Sequence, residues 1–241
     1  MSKNERNGNR KPREQIFRAR SPELGYYIIV TDTKETEQNY INGLRDSIPS
    51  ELQRRLVIKV AKTKSNNLVK EALNLLSTSS QFGEIWIVFD RDKVPEFDRI
   101  INEAQSHGVK VGWTNPCIEE WFFAYFGKMP TYEDSVKCCN DFRKKYKETI
   151  GHEYDKADKD LYKRLTKYGN EESAIEIAKR KMQEHQRQGK EKPSLQCPGT
   201  SMHILISEIK SKSLFRFSEH ASCAVRFFAR CSQNRRQYFV Y

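Results

Sequence analysis

The chain has 241 residues, a net charge of +11 and a pI near 9.3, with 31% charged residues and a mean hydropathy of −0.82. That length suits one α/β domain with appendages, and no apolar run approaches the roughly 20 residues that cross a bilayer. The basic N-terminus lacks the apolar stretch of a secretory signal, so the chain reads as a soluble cytoplasmic protein in which the six cysteines are reduced structural thiols.

Residues 1–22 are polar and basic, and are expected to form a disordered arm. YYIIV (26–30) is a short, β-branched apolar run, as a buried strand requires. Beyond it Thr36 is placed to cap a helix carrying Tyr40, Ile41 and Leu44. LVIKVAK (56–62) reads as a second strand, and 66–79 as a helix with Leu68, Val69, Ala72, Leu73 and Leu76 on one face. EIWIVFD (84–90) is the clearest strand of all. A helix over 94–108, ending at Gly108, leads to a strand over 109–115 and then to the aromatic helix IEEWFFAYF (118–126). Alternating strands and helices predict a parallel sheet covered by helices.

Residues 131–188 read as helical, with candidate helices at 156–168 and 170–188, the second capped by Asn170. A loop over 189–200 and a last helix over 200–212 follow. The expected organisation is thus a 1–22 arm, a 23–128 α/β core, a 129–212 helical extension packed on it, and a 213–241 aromatic, basic tail. That tail could pack on the core or bind nucleic acid.

Ligands of open parallel sheets bind beyond the carboxyl ends of the strands. Acidic residues fall there: Asp32 after the first strand, Glu37 at the start of the first helix, Asp90 and Asp92 after the third strand, and Glu119 after the fourth. In an extended stretch, residues two apart point the same way, so Asp90 and Asp92 can converge on one hard cation, Mg²⁺ or Mn²⁺, which needs few carboxylates. Asp-Arg-Asp is also an ordinary turn composition, and that plainer reading stands beside the metal one. Lys34 either contacts phosphate or is simply exposed. Trp121, Phe122, Phe123, Tyr125 and Phe126 read as core aromatics, and Cys117 as a small buried hydrophobe. The histidines have no paired ligand spacing. The positive charge attracts polyanions, of which nucleic acid is the commonest in a cytoplasm, although a merely solvated surface has the same composition.

Four segments together carry a resemblance: IIVTDTKETEQNY (28–40), EIWIVFDRDK (84–93), GVKVGWTNPCIEEWFFAYF (108–126) and PGTSMHILISEI (198–209). In this order they resemble the RloB or AbiLii-like proteins of bacterial anti-phage defence, over roughly residues 24–210. The resemblance implies a Toprim-like fold, a short parallel sheet flanked by helices, and a metal-dependent nuclease acting on DNA or RNA. It also implies an ATPase partner encoded nearby. It assigns Asp90 and Asp92 to the metal with Asp32 as a further ligand, and it matches Thr36 and Glu37 to a family pair. Asn115, Pro116, Cys117, Glu119 and Trp121 match a second signature. Asp32, Glu37 and Glu119 become candidates for general base, further ligand or second-ion ligand, while Lys34, Arg91 and Lys93 become phosphate contacts. Two positions depart from the pattern: Asp32-Thr33 replaces the family's Glu-Gly, and Tyr125 replaces its histidine. The first departure keeps open a non-catalytic sensor or partner subunit of a defence ATPase. No Walker-type phosphate loop is present, which argues against an independent ATPase. Homo-oligomerisation remains compatible with the sequence.

Overall fold

A computed structural model describes residues 25–213, except 33–34, 54–55, 79–82, 93 and 133. The expected arm (1–22), residues 214–241 of the tail, Thr33, Lys34 and Lys93 lie outside the described residues.

The sequence alternation becomes an α/β architecture. The strands are β1 (Gly25–Thr31), β2 (Leu56–Lys62), β3 (Glu84–Asp90), β4 (Lys110–Asn115) and β5 (Gly199–Thr200). They form one sheet in the order β2-β1-β3-β4-β5. The first four run parallel, and β5 pairs antiparallel with β4, Asn115 opposite Gly199. The helices are α1 (Glu35–Asp46), α2 (Leu68–Thr78), α3 (Phe97–Ser106), α4 (Glu119–Tyr125), α5 (Ser135–Ile150), α6 (Leu161–Tyr168) and α7 (Glu171–Arg187). An eighth, α8, covers 202–213. None of the described helices is long and apolar enough to cross a membrane.

Alternation along the strands divides the core into two clusters. Tyr27, Ile29, Trp86 and Val88 belong to one, and Ile28, Val30, Ile85, Ile87 and Phe89 to the other. The second cluster is closed by Leu68, Val69 and Ala72 of α2 and by Phe97, Ile100, Ile101 and Ala104 of α3. The first is thicker: α1, α4, α5, α6, α7 and α8 all contribute to it. Tyr27 and Trp121 therefore share one apolar cluster with Phe142, Leu165, Ile177 and Leu205. The helical segment after residue 128 is packed into the same core as the sheet. Two glycines allow the close approach. A Cβ on Gly43 would stand 2.5 Å from the Tyr162 Cβ, where α1 crosses α6, and one on Gly112 would meet the Met202 sulfur at 3.0 Å, where α8 covers β4.

Several boundaries differ from expectation for local reasons. Thr36 does not cap α1. It lies buried inside the first turn, between Glu35 and Glu37, whose charges suit a helix N-terminus. The helix expected over 156–168 begins only at Leu161. Asp155 and Asp158 each accept from a backbone N–H two residues on, at 2.9 and 2.8 Å, a turn geometry that competes with the helix. The supposed loop at 189–200 contains a 3-10 turn, Pro193–Leu195, and the edge strand β5. Other boundaries follow the sequence. Asn170 caps α7 by accepting from the Ser173 amide at 2.8 Å, and Gly108, at φ 73°, terminates α3.

Candidate functional site at the carboxyl edge of the sheet

The carboxyl ends of β1, β3 and β4 meet at one edge, and each acid arrives there by a different route. Thr31 pairs with Val88, and the Asp32 amide continues the ladder onto the Val88 carbonyl at 3.2 Å. Side chains alternate along a strand, so Asp32 falls on the face of Ile28 and Val30. Its Oδ2 accepts from the Ser65 hydroxyl at 2.6 Å, just before α2 on that same face. Asp90, the last residue of β3, falls on the opposite face, with Trp86 and Val88. Both aspartates are almost fully buried, at 6% and 4% exposure.

After Asp90 the chain bends. The Arg91 amide bonds the Thr114 carbonyl at 2.9 Å, and the Asp92 amide bonds the Pro116 carbonyl at 2.8 Å. Asp92 Oδ1 accepts from the Ser135 hydroxyl at 2.5 Å, at the start of α5 on the thick face. The Asn115-Pro116 bond is cis. Asn115 donates through Nδ2 to the Pro193 and Ser194 carbonyls, at 3.1 and 3.2 Å, while Asp98 accepts from the Ser194 amide and hydroxyl. The Asn-Pro signature thus fixes the 193–195 turn and, through the Pro116 carbonyl, the backbone of Asp92. Arg91 is exposed, but its Nη1 donates to the Ser194 carbonyl at 2.8 Å.

Glu37 lies in the first turn of α1 and is fully buried on the thick face. Glu119 opens α4 and is fully buried as well. Its Oε1 accepts from the Tyr154 hydroxyl at 3.0 Å and the Cys139 thiol at 3.5 Å, and ion-pairs with Lys156 at 3.0 Å. Burial works to raise the Glu119 carboxyl. The Lys156 charge and hydrogen bond outweigh burial and, with the Cys117 thiol, hold it below the ordinary carboxylate value. Burial first, and then the charges of Glu119 and Glu37, push the Tyr154 phenol up.

The neighbouring Glu120 behaves differently. It is fully buried, its Oε2 accepts from the Cys138 thiol at 3.5 Å, and burial pushes it up to about 8 against the weaker opposition of that thiol and of Lys181. A hydrogen bond with Cys138, and then burial, push the Cys117 thiol up, so Cys117 is a protonated packing residue rather than a nucleophile. Trp121 donates to the Tyr40 hydroxyl at 2.8 Å. Tyr40 bonds Tyr125 at 2.7 Å, and Tyr125 and Tyr162 both donate to Glu171, each at 2.9 Å. These aromatics are core, as expected from the sequence.

Asp32 thus lies with Ser65 beside α2, Asp90 points to the opposite face of the sheet, Asp92 contacts Ser135 at the start of α5, and Glu37 and Glu119 are buried in the first turns of α1 and α4. Among the described residues, no group of three or more Asp, Glu, His or Cys side chains is arranged to hold a metal ion. The donor chemistry, hard carboxylate oxygens on a bend after a strand, fits Mg²⁺ or Mn²⁺ of the open kind, which one or two carboxylates hold while waters and substrate phosphate complete the shell. Sequence reasoning missed Ser65, Ser135, Tyr154 and Lys156. The serines have no local signal, and Lys156 is one lysine among many in a mixed-charge segment.

A family model described as RloB-like protein matches residues 27–209. No curated protein matches the chain. Among solved structures, the C-terminal region of the Burkholderia pseudomallei OLD protein is similar, at 14% sequence identity over 78% of this chain and 98% of that one, with a TM-score of 0.36.

Proposed function

The chain belongs to the RloB-like family, and from that premise we propose that it is a divalent-metal-dependent nuclease of a bacterial defence system, with a Toprim-like catalytic core acting on DNA or RNA. The observation that supports this reading is the position of Asp90 and Asp92 at and just beyond the end of β3, at the carboxyl edge of a parallel sheet, with Glu37 buried in the first turn of the helix that follows β1, since such sheets bind their ligands at that edge.

In this reading Asp90 and Asp92 would hold Mg²⁺ or Mn²⁺, with Glu37 supplying a further ligand or accepting the proton of the attacking water. The ion, when bound, polarises a phosphoryl oxygen and lowers the pKa of a coordinated water. Ser135 fixes the Asp92 carboxylate, and the Pro116 carbonyl fixes its backbone. Glu119 holds Lys156 at the rim, where half of the lysine side chain remains exposed to meet a phosphate. In this reading Asp32, which accepts from Ser65 on the α2 side, would order the β1 end, a role with which a shorter side chain at this position is compatible.

The test is cleavage of mixed DNA and RNA substrates with Mg²⁺ or Mn²⁺. The wild-type chain should cut at least one of them, and an Asp90→Ala/Asp92→Ala variant should lose that activity. Equal activity in both proteins rejects the proposal. Metal-independent binding without cleavage would favour the sensor role instead.

A further inference from the structure

The cavity beside Asp92 is lined by Arg91 and Arg99 but also by Asp92, Glu96 and Asp98. The acids outnumber the bases there, so this cavity alone repels a phosphate chain. A second cavity has the opposite balance. It measures about 580 Å³ and lies between the turn after α4 and the outer face of α7. Lys128, Arg180, Lys181 and Arg187 line it, against Glu184 alone, over a floor that includes Met129. Arg180, Glu184 and Arg187 form an exposed stripe at helical spacing. Lys181 ion-pairs with Glu184 at 3.1 Å, so the cavity keeps a surplus of positive charge.

Its place in the fold matters as much as its sign. Helix α7 begins where α4 ends, since the Asn170 amide bonds the Tyr125 carbonyl at 2.9 Å, and its Ala174, Ile177 and Ala178 share one buried cluster with the α4 aromatics. Further along α7, His185 Nε2 bonds the Pro198 carbonyl at 2.8 Å, and the next residue, Gly199, pairs with Asn115. The basic half of α7 thus extends toward the same sheet edge as Asp90 and Asp92.

We propose that the Lys128–Arg180–Arg187 cavity is an anchoring site for the phosphate backbone of a nucleic acid, outside the reacting centre, that holds the strand while its neighbouring segment lies at the acidic edge. This inference rests on the nuclease reading. Physically, the anchor overcomes the repulsion that a polyanion meets at carboxylates. Guanidinium groups suit phosphate oxygens because they donate in a planar fork, and the cations they displace from the strand make such binding salt-dependent.

The experiment measures binding of a labelled duplex and a labelled single strand to the full chain by fluorescence anisotropy, in a chelator and over a salt series. Relative to wild type, Arg180→Glu/Arg187→Glu should weaken binding on the order of tenfold or more at low salt. It should also flatten the slope of log affinity against log salt by about two, one for each phosphate that an arginine no longer neutralises. Glu184→Gln should tighten binding, a gain that misfolding cannot produce. Unchanged affinity and slope in the double variant would overturn the proposal, as would equal competition by polyglutamate, which would mark an acidic-peptide site. Because binding is read without turnover, its failure and the failure of the nuclease reading are separate results.

Discussion

The two faces of the sheet are built to different standards. The face closed by α2 and α3 is a plain apolar cover, fifteen buried residues among those described, with Asp32 and Ser65 at its rim. The face closed by α1 and α4–α8 is a thick helical layer that buries Glu37, Glu119 and Glu120 together with aromatic hydroxyls and thiols. Burying a charged group is costly unless partners are supplied. The thick layer supplies them: Tyr154, Lys156 and Cys139 for Glu119, and Cys138 for Glu120. The difference agrees with the site proposed above, since acids buried with dedicated partners are concentrated at functional sites.

The strongest challenge to this comparison is a pair of isosteric changes across the sheet. Glu37→Gln should reduce metal-dependent cleavage by on the order of a hundredfold or more, as loss of several kcal/mol of transition-state stabilisation requires. Asp32→Asn should cost about tenfold, the lower end of the range for a supporting residue. Steady-state cleavage rates decide it. If Asp32→Asn proves the more damaging change, the assignment of function to the thick face is wrong.

A smaller effect tests the partners. Lys156→Met removes the cation from the fully buried Glu119, and should destabilise the fold by about 2–4 kcal/mol in chemical denaturation. That is somewhat below the range for a fully buried pair, because Lys156 is half exposed. Adding Glu119→Gln to it should recover part of the loss, since the uncompensated charge is then gone.

The smallest effect is a pH dependence. Glu120, pushed up to about 8 by burial, binds a proton in the folded chain that the unfolded chain has already released. The contribution of Glu120 to stability should therefore be fully present below the ordinary carboxylate value and fall as pH rises toward about 8, levelling above it. Between about pH 6 and 8 the fall should be on the order of 2 kcal/mol, and Glu120→Gln should flatten it. Denaturation midpoints across that interval in both proteins measure it. A wild-type profile that stays level would mean that Glu120 finds a partner when ionised.

Much of this was legible in the sequence. The strands at 26–30, 84–90 and 109–115 are apolar enough to be buried on both sides, the one at 56–62 carries the exposed Lys59 and Lys62 of an edge, and the intervening helices carry their own periodicity and stops, so local chemistry determines a parallel α/β sheet with acids at its carboxyl edge. The signature around Asn115, Pro116, Cys117 and Trp121, and the FDRD bend, were equally plain. Tertiary structure alone settled the rest. Which face each acid occupies depends on where β1 ends relative to β3, a register that no single segment encodes, and one residue of phase separates Asp32 from the face of Asp90 and Glu37. The edge strand β5 is two residues long and exists only because β4 offers it an edge. The partners of Glu119 lie on α5 and on the loop after it, distant in sequence, and the cationic cavity arises where α7 packs along α4. Each of these is a long-range pairing, fixed by the packing of distant segments, and local composition carries no record of it.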